Sequence, residues 1–205
     1  MKLAAMKPAA MKPAVRLLML LLAAACVYAA APIEWSKNVR LTQRDFRSSV
    51  PPSAIDTAHS WVGLDVSWEC REREARSHAL ATFDPDQSWW RSGTPSIWGG
   101  IDEGLSRSQL ENRRTAAERD EDLLRHEQLH FDLTELAARK IRKQFEDLSR
   151  ACATPAGDGR IGAAVADIER AWTDEQSRYD KDTDHGANRV AQRQWELRVR
   201  RQLEP

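Results

Sequence analysis

The chain has 205 residues with 31 basic and 31 acidic side chains, so its formal net charge is zero. A chain without a basic block is a poor nucleic-acid binder. About 175 residues remain once the N-terminal segment is set aside, enough for one domain with one core.

That segment comes first. Residues 1–31 carry Lys2, Lys7, Lys12 and Arg16 and no acid, then an apolar run from Leu17 to Ala25, then small residues up to Ala31-Pro32. A basic head, a short apolar stretch and an Ala-rich exit describe an export signal. The apolar run is too short for a permanent membrane anchor. Met-Lys recurs at positions 1, 6 and 11, so Met6 and Met11 are alternative starts. Cleavage after Ala29 or Ala31 would release a soluble periplasmic or secreted protein, the favoured reading. Ala23-Ala24-Ala25-Cys26 loosely resembles a lipoprotein signal, which would acylate Cys26 and tether the chain to a membrane, but Ala23 stands where that signal usually has leucine. Losing four cationic side chains leaves a mature chain near −4. It retains Cys70 and Cys152. In an oxidising compartment two distant cysteines suggest a disulfide, stabilising by about 4 kcal/mol in the chain-entropy model. Two unrelated buried thiols are the alternative.

Residues 32–205 are expected to form a single monomeric α+β domain. Its first half, 32–107, holds sheet and loops; its second, 108–205, is helical. Ile33–Trp35 reads as a short first strand, Thr42-Gln43-Arg44-Asp45 as the cap of a short helix, and 50–53 as a loop. Val62, Leu64, Val66, Trp68 and Cys70 alternate with polar or small residues, which marks a half-buried strand. Residues 74–83 alternate more weakly and read as its partner. Pro85, Gly93, Pro95, Gly99, Gly100 and Gly104 make 84–107 a long loop, of a length that is often functional. Trp89, Trp90 and Trp98 within it either line a groove or pack over a small core. A capping box at Ser108-Gln109-Leu110-Glu111 opens a helix that meets no Pro or Gly before about Arg150. Residues 153–159 are a turn. A second helix runs from about 160 to 180 with Ile161, Val165, Ile168, Trp172 and Tyr179 on one stripe, 180–186 breaks it, and a third helix fills most of 187–203.

His126-Glu127-Gln128-Leu129-His130 lies inside the first helix. Residues four apart on a helix lie about 40° apart around the axis, one turn above each other, so both imidazoles can meet one ion. Glu127 is turned about 100° from His126, which suits a group that touches a zinc-bound water rather than the metal. Leu123, Leu133, Ala137 and Ile141 share the histidine face, so the histidines point inward, where unpaired polar groups are costly and a Zn2+ ion would satisfy both. Two core histidines bonded to carbonyls, with Glu127 a surface acid, are the bland alternative; a purely structural zinc is another. A third ligand must come from elsewhere. Asp132 and Glu135 lie more than about 100° off the histidine face. The candidates are His185, Asp184, Asp180, Glu175, His78 and His59. His185 is chosen, because it follows the inner stripe that ends at Tyr179 and Gly186 permits a sharp turn there.

His126-Glu127-Gln128-Leu129-His130-Phe131-Asp132 with Glu135 and Ala138-Arg139 resembles the predicted secreted zinc-dependent proteases of bacteria (domain of unknown function 922). So do Tyr179-Asp180, Thr183, His185-Gly186 and Gln194-Trp195, and, upstream, Leu41-Thr42, Asp45-Phe46, Phe83-Asp84 and Ser88-Trp89. The likeness runs from about Trp35 to Trp195. It implies a zincin-like metallopeptidase fold, with a small N-terminal antiparallel sheet packed on long C-terminal helices that carry the motif, and it marks His126, Glu127, His130, Tyr179 and His185. Leu129 departs from the small residue expected at its position, which alters packing near the helix and not the ligands.

The chemistry so implied is peptide-bond hydrolysis: His126, His130 and His185 hold zinc, Glu127 takes a proton from activated water and passes it to the leaving amine, and Tyr179 donates to the oxyanion. The substrate would be a protein or peptide, adding as a strand to the edge of 74–83, or a cell-wall peptide. Two alternatives stay open: a catalytically inactive zinc-binding envelope protein, and a zinc hydrolase acting on cell-wall amide bonds.

Overall fold

Residues near the start of the sheet half are tied to a helix far along the chain. In the computed structural model, which describes residues 31–71, 74–91, 116–148 and 157–204, the Trp35 indole donates to Asp132 Oδ1 at 2.8 Å and the Leu41 amide donates to Gln128 Oε1 at 2.8 Å. Asp132 and Gln128 share one face of the helix and are themselves bonded at 3.0 Å. They are a polar stripe that Trp35 and Leu41 cover.

Among the described residues the strands are β1 (Ile33–Glu34), β2 (Ala58–His59), β3 (Val62–Arg71), β4 (Glu74–Phe83) and β5 (Trp89–Trp90); the helices are α1 (Ala116–Leu148), α2 (Gly157–Thr183) and α3 (Arg189–Leu203). The described residues from Ala31 onward form one compact unit. They make an α+β fold, with a three-stranded antiparallel sheet ordered β1-β4-β3, a two-stranded sheet of β2 and β5, and three helices. β3 and β4 pair from Val62 opposite Phe83 to Arg71 opposite Glu74. The alternation in β3 does what its pattern predicts: Val62, Leu64, Val66 and Trp68 pack toward the helices, with Trp68 against Phe145 of α1. Thr42 caps a 3₁₀ turn at Gln43–Asp45, its amide and hydroxyl both donating to Asp45.

α1 is the spine. Phe131, Ala138 and Ile141 are fully buried, and Phe131 meets Phe83 of β4 while Ile141 meets Ile161 of α2. Burying a side chain of this size contributes about 1.5–3 kcal/mol, and α1 supplies residues to each of the three buried clusters, so it joins the sheet to the other helices. On its other side α1 packs Leu129, Leu133 and Leu136 against Tyr179 of α2 and Trp195 and Val199 of α3.

Four expectations change. Trp89 and Trp90 belong to a strand, not to a long loop: β5 pairs with β2, Trp90 packs edge-on to Phe46, and both indoles are buried, so they cover core. Trp98 and the remainder of that loop, with the cap at Ser108, lie outside the described residues. α2 continues to Thr183, past the break expected at 180, because Asp180-Lys181-Asp182-Thr183 contains no helix-breaking residue and the chain first turns left-handed at Asp184, His185 and Gly186. The edge of β4 is not available to a substrate strand at Thr82–Phe83, where β1 pairs, and the Ala79 carbonyl accepts from Arg142. The fourth change is at the turn expected over 153–159, whose last residues, 157–159, already belong to α2; residues 153–156 and the Cys70–Cys152 pairing fall outside the description, since Cys152 is not among the described residues. No helix among the described residues is long and apolar enough to cross a membrane.

Candidate metal centre

Helix spacing sets the site. His126 and His130 stand one turn apart on α1, nearly perpendicular, with ring centroids 4.8 Å apart and Nε2 atoms 3.2 Å apart. Asp180, in the last turn of α2, reaches both: its Oδ1 lies 3.2 Å from His126 Nε2 and 2.9 Å from His130 Nε2. The three donors form a nearly equilateral triangle, and they are the one group of three or more metal-ligating side chains among the described residues.

Do these atoms suit an ion? Donors about 2.0–2.1 Å from a tetrahedral zinc lie about 3.3 Å from one another. Edges of 3.2, 3.2 and 2.9 Å need only a slight opening. Two imidazoles and one carboxylate are also a donor set that catalytic zinc sites use, leaving one position for another ligand.

The charges match the geometry. Burial alone would raise the Asp180 carboxyl, but hydrogen bonds and charge from His126 and His130 hold it well below the usual carboxylate range. Burial pulls the other way on His130, lowering its imidazole, yet the hydrogen bond to Asp180 and the negative charges of Glu127 and Asp180 outweigh it and leave the group raised. Glu127 is 4% exposed, and its Oε2 accepts from the Ser60 hydroxyl at 2.5 Å. Ser60 lies between β2 and β3, so the strand half of the chain fixes the carboxylate of the helix half.

Behind the histidines the structure is tightly built. The Nδ1 of His126 faces Gln192 Oε1 at 3.3 Å, and the Nδ1 of His130 faces Gln176 Oε1 at 2.6 Å. Tyr179 stacks on His126 with centroids 4.6 Å apart; its hydroxyl reaches Gln192 Oε1 at 2.8 Å and the His126 carbonyl at 3.1 Å. Gly186 packs its backbone on the far edge of the His126 ring. In front, His126, Glu127, His130, Asp180 and His185 share a cavity of about 390 Å³ with residues 56–60 of the β2 region and Trp172 of α2.

The sequence-based assignments fare differently. His126, Glu127 and His130 come together as expected. His185 stands beside the triangle rather than in it: its Nδ1 is 3.9 Å from Asp180 Oδ1 and its side chain is 57% exposed. The extra turn of α2 is the reason, since it keeps Asp180 on the helix facing α1 and carries His185 beyond the helix end. Tyr179 lies behind the histidines, fully buried, with its hydroxyl turned to Gln192 and the His126 carbonyl, and it does not line the cavity. Burial raises that phenol well above its ordinary value. Asp132 and Glu135 point away, to Trp35 and to Arg139 and Arg142. Glu175 pairs with Lys140, and His78 with Asp65 on the sheet. His59 stacks on Trp89 at the cavity wall. Ser60, Gln176 and Gln192 were not foreseen. A polar residue at 176, one turn before Asp180 on a helix face otherwise read as apolar, was the available signal.

Residues 103–186 match the family model described as "Bacterial protein of unknown function (DUF922)", a span that includes His126, Glu127, His130, Asp180 and His185. No curated protein and no solved structure matches the chain.

Proposed function

We propose that this chain is an exported zinc-dependent hydrolase that cleaves peptide bonds, with His126, His130 and Asp180 holding the ion and Glu127 as general base. The observation that carries the reading is the triangle of two Nε2 atoms and one carboxylate oxygen, with edges of 2.9–3.2 Å, beside a buried glutamate. A long helix bearing the motif over a small antiparallel sheet supports a zincin-like relationship. The basic, apolar and Ala-rich opening supports export.

When bound, the ion would supply Lewis acidity, polarising a carbonyl and acidifying water. The chain's own residues do the rest. Ser60 binds Glu127 Oε2 and so turns the other carboxylate oxygen free to take a proton and return it to the leaving amine. The cavity, walled by residues 56–60 and Trp172, admits an extended substrate to the triangle. His185 lines the same cavity and is mostly exposed, which supports a role against substrate rather than as a ligand. The buried Tyr179 supports the His126 ring from behind, and we assign it that role in place of oxyanion donor.

Metal analysis and turnover test this together. The purified chain should carry one zinc and release fragments from labelled casein; Glu127→Gln should keep the zinc and lose activity by at least about 100-fold, the lower end of general-base effects. Zinc-loaded protein that leaves casein intact but digests cell-wall material would move the substrate class. Equal turnover in Glu127→Gln would remove the glutamate from the mechanism.

A further inference from the structure

Resting on the zinc reading, we infer that Gln176 and Gln192 are positioning residues that hold both ligand imidazoles with a proton on Nδ1, so that in the zinc-bound form both Nε2 lone pairs are turned to the ion they would share with Asp180. Neither glutamine touches the triangle. Each comes from a different helix, and each is oriented by its other bonds.

Take Gln176 first. Its Nε2 donates to the His130 carbonyl at 3.0 Å and to Thr134 Oγ1 at 3.1 Å. Thr134 is itself committed, since its hydroxyl donates to the His130 carbonyl and its oxygen also accepts from Trp172 Nε1. Rotating the amide by 180° would set its oxygen against a carbonyl oxygen. The oxygen therefore faces His130 Nδ1, at 2.6 Å. An amide oxygen only accepts, so Nδ1 must carry the hydrogen.

The second amide is fixed by the same reasoning. Gln192 Nε2 donates to Glu196 Oε1 at 3.2 Å, and a rotated amide would oppose its oxygen to that carboxylate. Oε1 thus accepts from Tyr179 Oη at 2.8 Å and from His126 Nδ1 at 3.3 Å. The shorter bond makes Gln176 the stronger of the two restraints. Both partners are neutral amides where many ligand histidines meet a carboxylate. A neutral acceptor orients the ring while adding no negative charge behind it, so the ion keeps more of its acidity.

Zinc affinity of the full mature chain, measured by competition with a chromophoric chelator, tests this without any substrate. Gln176→Leu and Gln192→Leu keep most of the side-chain volume and remove the acceptor. Each should weaken zinc binding by about 10–100-fold, the effect usual for such partners, with Gln176→Leu the larger, while the melting temperature of the metal-free protein changes little. The visible spectrum of the cobalt-loaded protein should broaden in the leucine variants. Wild type that binds zinc alongside leucine variants within roughly threefold of it overturns the inference and leaves the metal site standing. Loss of affinity that merely follows a fall in metal-free melting temperature, with an unaltered cobalt spectrum, overturns it too. Wild type that binds no zinc removes the metal reading itself, and this inference with it.

Discussion

Gly186 adopts φ +88°, and a Cβ there would sit 3.1 Å from His126 Cβ and 3.2 Å from Cγ. Two separate costs therefore oppose any side chain: a left-handed backbone that L-residues resist, and a ring that cannot retreat because Tyr179 stacks on it. Gly186→Ala should cost about 1–3 kcal/mol in chemical denaturation and weaken zinc binding as His126 is pushed off the triangle; unchanged affinity would mean that the ring has room. Asp184 and His185 share the left-handed conformation, at φ 49° and 51°. Strain of that kind in consecutive non-glycine residues is concentrated at functional sites. At this scale the sequence was readable where helix geometry alone decides. The four-residue spacing of His126 and His130 determines their meeting, and the inward face follows from Leu133, Ala137 and Ile141. It was unreadable where a partner lies far along the chain, as with Ser60 for Glu127 and Gln192 for His126.

Whether Asp180 or His185 faces the histidine pair follows from the length of one element. An acid-rich run that looked like a break continues as helix to Thr183, because Asp and Lys are tolerated in a last helical turn and Thr183 bonds back to the Tyr179 carbonyl. Four residues after Gln176, Asp180 then falls on the face toward α1. Similarly, β5 could not be foreseen as a strand, since its two residues pair with the two of β2 and, at Trp89, with a single bridge to Ser48. α1 makes a second demand on its sequence. Asp132 holds β1 through Trp35, but burial raises its carboxyl above the ordinary value, against the bonds from Trp35 and Gln128 that lower it. A raised carboxyl means that the fold binds its proton more tightly than the unfolded chain does. Its contribution is fully present below the unfolded value and is lost as pH rises through the folded one. Asp132→Asn keeps the accepting oxygen without the charge. Melting temperatures should show the variant at least as stable as wild type near about pH 7, with the advantage shrinking toward about pH 4; a clear loss near neutrality would contradict this.

Across the whole molecule, one cavity gathers residues from β2, α1, α2 and the segment before α3, while α3 closes the back of the site through Trp195 and Gln192. The α+β division near the start of the helices was legible from periodicity, as was the packing of a small sheet on long helices. Which acids and amides meet across helices was not, because that depends on register between elements that no local pattern encodes. The account's central claim is a single ion held by His126, His130 and Asp180. Zinc content per chain, measured for wild type beside Asp180→Ala and His185→Ala, tests it most directly. The prediction is one zinc in wild type and in His185→Ala and much less than one in Asp180→Ala; full zinc in Asp180→Ala, with loss in His185→Ala, would contradict it.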